Sequence, residues 1–276
     1  MSNYNVNYRH NPIEPPEPEQ NPQNDSDKLE AGDIVAASPA LRWLDNFWYH
    51  HKWTVIIVAF FVAVAVVGLV QMVNRPRYDT SVCLGSMYRM NQEERADLEA
   101  LLQRICPEDF NGNGEKLVNV TEYQVYSEEE ILAEMERYEA MTDENGNPDQ
   151  FQINRKFNTD EANNFTRFTM SGETSVYILS PYLYSLLKDA GRLKPLSEIY
   201  TDGSLPTGAM EDGFGIALKD TDFYKYNPAV QVYPENTILC LAQNKDKKLG
   251  GRSSKPELYA QDVAFFKAIA DFEVRE

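Results

Sequence analysis

No histidine follows position 51 in this chain of 276 residues. Its longer part therefore lacks the commonest general base and the commonest metal ligand. A Gly-x-Ser-x-Gly elbow, a phosphate-cradling glycine loop and a His-Glu-x-x-His zinc motif are also missing. The many carboxylates could in principle pair for glycoside chemistry, but scattered as they are they single out no pair. The expectation is a protein that is not an enzyme.

Cysteine is scarce as well: Cys83, Cys106 and Cys240 allow one disulfide at most, far short of a small secreted disulfide scaffold. None sits in a Cys-x-x-Cys pair. Cys83 and Cys240 lie in apolar, strand-like runs, where a free cysteine serves as a small buried hydrophobe. All three read as structural. Basic residues are outnumbered 26 to 43, for a net charge of −17. Such a chain repels phosphate backbones and anionic headgroups, which argues against a nucleic-acid partner.

What the chain does have is one uncharged run of 21 residues, Trp53 to Val73. At ~1.5 Å per residue it matches a hydrocarbon core of about 30 Å, so it reads as a transmembrane helix. A cleaved signal peptide begins nearer the N-terminus and has a shorter apolar core. This one reads as an uncleaved anchor in the cell membrane, single-pass. Trp43, Phe47, Trp48, Tyr49 and Trp53 form an aromatic belt before it. Arg42, Lys52, His50 and His51 on one flank balance Arg75, Arg77 and Arg89 on the other, so charge does not orient the span. Long domains translocate largely regardless of charge. The expected topology is therefore a cytoplasmic N-terminus and an extracytoplasmic C-terminal domain.

Four segments follow. Residues 1–38 hold five prolines between Pro12 and Pro22, with Ile13 the only aliphatic residue in that stretch, so they read as a disordered cytoplasmic tail. Residues 39–52 read as a juxtamembrane helix, 53–73 as the span, and 76–276 as an extracytoplasmic α/β domain. Within that domain, strands are expected at 80–87, 116–126, 175–179, 213–218 and 237–242. Val118, Val120 and Val125 are expected mainly on one face of the second strand. Asn91 with Glu94 caps a helix to Ile105, carried by Leu98, Leu101, Leu102 and Ile105. Ser127 opens another, to about Met141. Ser180 and Pro181 start a third, with Leu183, Leu186, Leu187 and Ala190 as its inner face, and Gly191 ends it. A last amphipathic helix covers about 258–272. Strands alternating with helices make this an α/β domain with a mixed or largely parallel sheet.

Two loops alternate oxygen side chains. Asp109, Asn111, Asn113 and Glu115 follow the start of a calcium loop with glycine sixth, but Val120 stands where the closing bidentate acid belongs. A Gly/Asn turn is the first reading and calcium the alternative; no other cofactor is implied. Asp143 to Asp149 repeats the alternation around Pro148 and reads as a turn. Among the plentiful aromatics, Tyr182, Tyr184 and Phe214 lie beside strand ends, where open α/β sheets place ligands. They form the candidate ligand-binding set.

The segment Ser175 to Ile199 (SVYILSPYLYSLLKDAGRLKPLSEI) resembles the extracytoplasmic solute-binding proteins of bacterial ABC transporters. Those carry a strand, a short helix and a G-x-L-x-P-L turn, here Gly191, Leu193, Pro195 and Leu196. The GFGIAL strand and the C-terminal helix resemble the same type II periplasmic-binding-like layout. The resemblance implies a reduced, membrane-anchored relative, as found in Gram-positive anaerobes, binding a small molecule or peptide. The alternative is a structural or assembly partner of a cell-envelope complex. A cleft between two aromatic-lined lobes would favour the first, and an exposed apolar patch the second.

Overall fold

The structure, a computed structural model, describes residues 38–141, 151–244 and 251–274. All but the last residue of the expected tail, and the Asp143–Asp149 turn, lie outside the described residues. The chain divides into two units, Met1–Asn74 and Arg75–Glu276.

In the first unit, the juxtamembrane helix and the span are one helix, α1 (Pro39–Val73), of 35 residues. Nothing in its first 29 residues could break it: after Pro39 at the first position, neither proline nor glycine occurs before Gly68. Ser38 caps it, its Oγ accepting the Leu41 N–H at 3.4 Å. Its apolar window has none of its surface buried. A core helix would bury one face against its own domain. Among the described residues, α1 alone is long and apolar enough to cross a membrane.

The second unit is α/β around a mixed sheet of five strands: β1 (Thr80–Ser86), β2 (Val118–Gln124), β3 (Val176–Leu179), β4 (Gly215–Ala217) and β5 (Ile238–Leu241). Their order is β2-β1-β3-β5-β4. The first three are parallel; β5 runs antiparallel to both of its neighbours. Side chains alternate between two cores, as a period of two requires. Val82, Leu84, Val176, Ile178, Ile216, Leu239 and Leu241 face one. Cys83, Tyr177, Leu179, Ile238 and Cys240 face the other. Val125 belongs to the second core, apart from Val118 and Val120 in the first, because an odd position cannot share a face with even ones.

The first core is covered by α2 (Gln92–Ile105), which buries Leu98, Leu101 and Leu102, and by α8 (Pro256–Ala270), which buries Phe265, Phe266 and Ile269. Each such side chain contributes about 1.5–3 kcal/mol. The second core is covered by α4 (Arg155–Ser171) through Phe165 and by α5 (Pro181–Asp189) through Leu183, Tyr184 and Leu187. Leu186 is 44% exposed, and Tyr184 takes the inner position expected of it. Gly85 makes this packing possible. A Cβ there would stand 2.6 Å from Leu183 Cδ1 and 3.0 Å from Leu179 Cδ2. Three further α-helices are α3 (Glu128–Glu139), α6 (Leu196–Ile199) and α7 (Asp222–Tyr226). The expected capping box of Asn91 with Glu94 forms on α2, and Ser127 forms a second with Glu130 on α3.

The three cysteines are free and buried. Cys83 and Cys240 each pair with Tyr177 from opposite sides, so they stand two strands apart. That spacing, about 9–10 Å, exceeds the reach of a disulfide.

Candidate functional site

Going from β2 to β1 to β3, the order of the parallel strands reverses direction at β1. In open α/β sheets, such a reversal leaves a crevice outside the carboxyl ends of the strands, where ligands bind. Here that edge carries a groove of about 600 Å³, between the first turns of α3 and α5, with Asn236 ahead of β5 on its rim. Its size falls in the range of about 300–1,000 Å³ usual for ligand sites.

Local sequence explains the walls. After β2 the chain turns at Ser127, whose Oγ accepts the Glu130 N–H at 3.0 Å while its own N–H donates to Glu130 Oε2 at 2.7 Å. This box sets Glu128 and Glu129 on the lip. Arg155 holds Glu128 at 2.9 Å, an exposed pair worth little in stability. After β3, Ser180 caps α5 and Pro181 occupies its first position, which places Tyr182 on the opposite lip. Asn158, on α4, clamps the turn between β2 and α3. Its Oδ1 accepts the Tyr126 N–H at 2.9 Å and its Nδ2 donates to the Tyr126 carbonyl at 3.0 Å. Partial burial and the nearby Glu134, Tyr138 and Glu130 raise the Tyr126 pKa, although its bond with Gln124 opposes them.

The three aromatic candidates do not converge. Tyr182 is 37% exposed in the groove. Tyr184, two residues further on, points about 200° around the helix, into the second core. Its hydroxyl donates to both oxygens of Asp212 at 2.9 Å, and Lys188 Nζ reaches the same carboxylate at 2.9 Å. Burial and Asp212 push the Tyr184 hydroxyl far up, so it stays a neutral donor. Phe214 packs against the same core, and its N–H donates to Asp212 at 3.1 Å. Tyr184 and Phe214 thus form one structural cluster, and Tyr182 alone lines the groove. The rest of the lining is Ser127, Glu128, Glu129, Glu130, Pro181, Ser185 and Asn236; Glu128, Glu129 and Asn236 are ordinary polar residues that carry no sequence signal of their own.

The Asp109 loop is closed on itself. Asp109 Oδ1 accepts the Gly112 N–H at 2.8 Å, and Oδ2 accepts that of Gly114 at 2.7 Å. Asn111 Oδ1 accepts the Asn113 N–H at 3.1 Å, and Asn113 Oδ1 that of Glu115 at 2.8 Å. The side-chain oxygens of Asp109, Asn111 and Asn113 thus accept backbone donors, as in nested Asx turns. The Gly114 and neighbouring N–H groups hold the Asp109 carboxyl below its ordinary range. Among the described residues, no three His, Cys, Asp or Glu side chains are grouped to hold a metal ion.

The turn from Gly191 to Leu196 also has a clear geometry. Leu193 bridges to Ala242, the Lys194 N–H donates to the Leu241 carbonyl at 2.8 Å, and Pro195 caps α6. The turn therefore stitches the end of α5 to the end of β5. No protein-family model, no curated protein and no solved structure matches the chain.

Proposed function

We propose that this chain is a membrane-anchored recognition module. In this reading α1 tethers a reduced, solute-receptor-like α/β domain at the outer face, with the N-terminal tail in the cytoplasm. The domain captures a small molecule or short peptide in its carboxyl-edge groove. The groove itself carries the reading, because it lies at the carboxyl ends of β2 and β3, the strands on either side of β1, and has the volume of a ligand site. Its chemistry favours an amine-bearing ligand. Glu128, Glu129 and Glu130 supply negative charge, Tyr182 offers a ring face to a cation, and the chain's net −17 draws cations in.

The test is thermal unfolding of the full-length protein in detergent micelles, against lysine-rich dipeptides, polyamines and neutral sugars. A ligand at 100 times its Kd adds about 2.7 kcal/mol. Cationic probes should raise Tm, and Tyr182→Ala with Glu129→Gln should erase the rise. A flat response to every probe would sink the reading.

The alternative, an envelope assembly partner, draws on α3. That helix buries only Ile131, leaving Leu132 56% and Met135 38% exposed one turn apart. Such a stripe suits a protein contact. Crosslinking in intact cells from position 132 decides it: one reproducible protein adduct supports assembly, and none returns the weight to ligand capture.

A further inference from the structure

At the amino edge of the parallel strands, across the sheet from the groove, lies a second recess of about 220 Å³. Its walls are mainly apolar: the Tyr177 ring from β3, Leu187 from α5, Met170 near the end of α4, and Ala242 just after β5. An engineered apolar cavity of about 150 Å³ already accepts benzene. This one has room for a somewhat larger body.

One charged group stands in the wall. Arg192 is fixed through its backbone, its N–H donating to the Leu187 carbonyl at 2.9 Å and its carbonyl accepting the Gln243 N–H at 2.7 Å. The position of its α-carbon is therefore set by α5 on one side and the end of β5 on the other. Its guanidinium donates from Nη1 to Thr169 Oγ1 at 3.3 Å and, among the described residues, makes no ion pair. Arg252, the other arginine on this edge, is neutralised by the fully buried Asp262 at 2.9 Å and also reaches the Asp79 carbonyl at 2.6 Å. The contrast is one of use. Arg252 closes a structural network, while Arg192 keeps most of its five donors beside an apolar recess. A guanidinium fork matches a carboxylate in two parallel hydrogen bonds, a geometry an ammonium cannot offer.

We propose that this recess binds a small monocarboxylic acid with an apolar body, its carboxylate forked on Arg192 and its body against Tyr177, Leu187 and Met170. The strongly acidic character of the chain disfavours ligands of higher negative charge. The site lies on the opposite edge from the groove, and neither proposal depends on the other.

The experiment titrates the full-length protein in detergent micelles with phenylacetate and isovalerate, and with their uncharged amides, by calorimetry and thermal unfolding. The acids should bind and raise Tm, while the amides should leave it unchanged. Arg192→Gln should weaken acid binding about ten- to a hundred-fold, and Arg192→Lys should recover only part of the loss. Ala242→Leu, which fills the recess and keeps the arginine, should abolish binding too. The melting transition of each variant without ligand verifies that it has folded. Equal binding of acids and amides, undiminished binding by folded Arg192→Gln, or no binding of either acid to the parent chain would overturn the proposal.

Discussion

Asp262 has no exposed surface, yet its carboxylate is fully engaged. Thr80 Oγ1 donates to Oδ1 at 2.9 Å, Ser175 Oγ to Oδ2 at 2.8 Å, and Arg252 closes the set. It thereby ties α8 to the first residue of β1 and to the residue before β3. Removing one partner of a buried pair strands the other, so Asp262→Ala should cost roughly 3–5 kcal/mol, read by urea unfolding. Replacing both, as Asp262→Leu with Arg252→Met, should restore only part of that, since the Thr80 and Ser175 hydroxyls lose their acceptor. Elsewhere the acidic chain satisfies carboxylates with neutral tyrosine hydroxyls: Tyr88 on Glu94, Tyr184 on Asp212, Tyr200 on Asp271 and Tyr233 on Glu122. Asp212 shows the consequence for pH. Its partial burial pushes its pKa up, but Lys188, the Phe214 N–H and Tyr184 outweigh this and hold it below the ordinary range. The folded state therefore favours the ionised form. The stability it supplies is present above about pH 4 and is lost as pH falls through the lower folded value. Asp212→Asn should cost about 1 kcal/mol at neutral pH and flatten the acid limb of the stability curve. A limb as steep as the parent's would contradict this.

At the scale of elements, caps and periodicity decided what could be read in advance. The Asn91 and Ser127 boxes, the Ser180-Pro181 start and the apolar rows of α2 and α8 are local patterns, and each marks a helix where one forms. The same local logic failed at α4. Its sequence RKFNTDEANNFTRFTMS is rich in Asn and Thr, weak helix formers, and only Phe165 is buried. Tertiary packing, through that ring against the sheet and the Asn158 clamp on Tyr126, holds a helix that propensity does not announce. The candidate site was legible to a similar depth. Tyr182, picked out by its strand end, lies in the groove lining, but Tyr184 is two positions away on a helix and cannot share its face. Arg192 left no trace, because its meaning lies in the partner it lacks among the described residues. Since α3 rests on one buried residue and its box, Ser127→Ala should cost about 1 kcal/mol and fray that helix first. Hydrogen exchange should then accelerate at α3 amides and leave α2 amides unchanged; uniform acceleration would mean the box stabilises the whole domain.

For the whole molecule, Gly85 and Gly251 are two of the glycines at which close packing couples distant elements. A Cβ at Gly85 would press on the ends of two leucine side chains, which can give by a few tenths of an ångström. A Cβ at Gly251 would stand 2.3 Å from the Ser171 carbonyl oxygen and 2.4 Å from Gly172 backbone atoms, which cannot yield without moving the end of α4. Gly251→Ala should therefore destabilise more than Gly85→Ala, for which overpacking costs of about 1–3 kcal/mol apply. Both sites join elements far apart in sequence, so either penalty should be felt by all five strands at once. The two cores share one sheet, whose central strands lend alternate side chains to each, and neither core can melt alone without exposing the other's floor. Every residue of both cores lies in the second unit. A fragment of residues 76–276 should then fold without α1, at a size that can bury a sufficient core. Its thermal transition should be single, with fluorescence and far-UV circular dichroism tracing the same curve, and Gly251→Ala should shift that curve without splitting it. Two separated transitions would mean the cores are independent, and aggregation on losing α1 would mean the helix belongs to the fold rather than to the membrane.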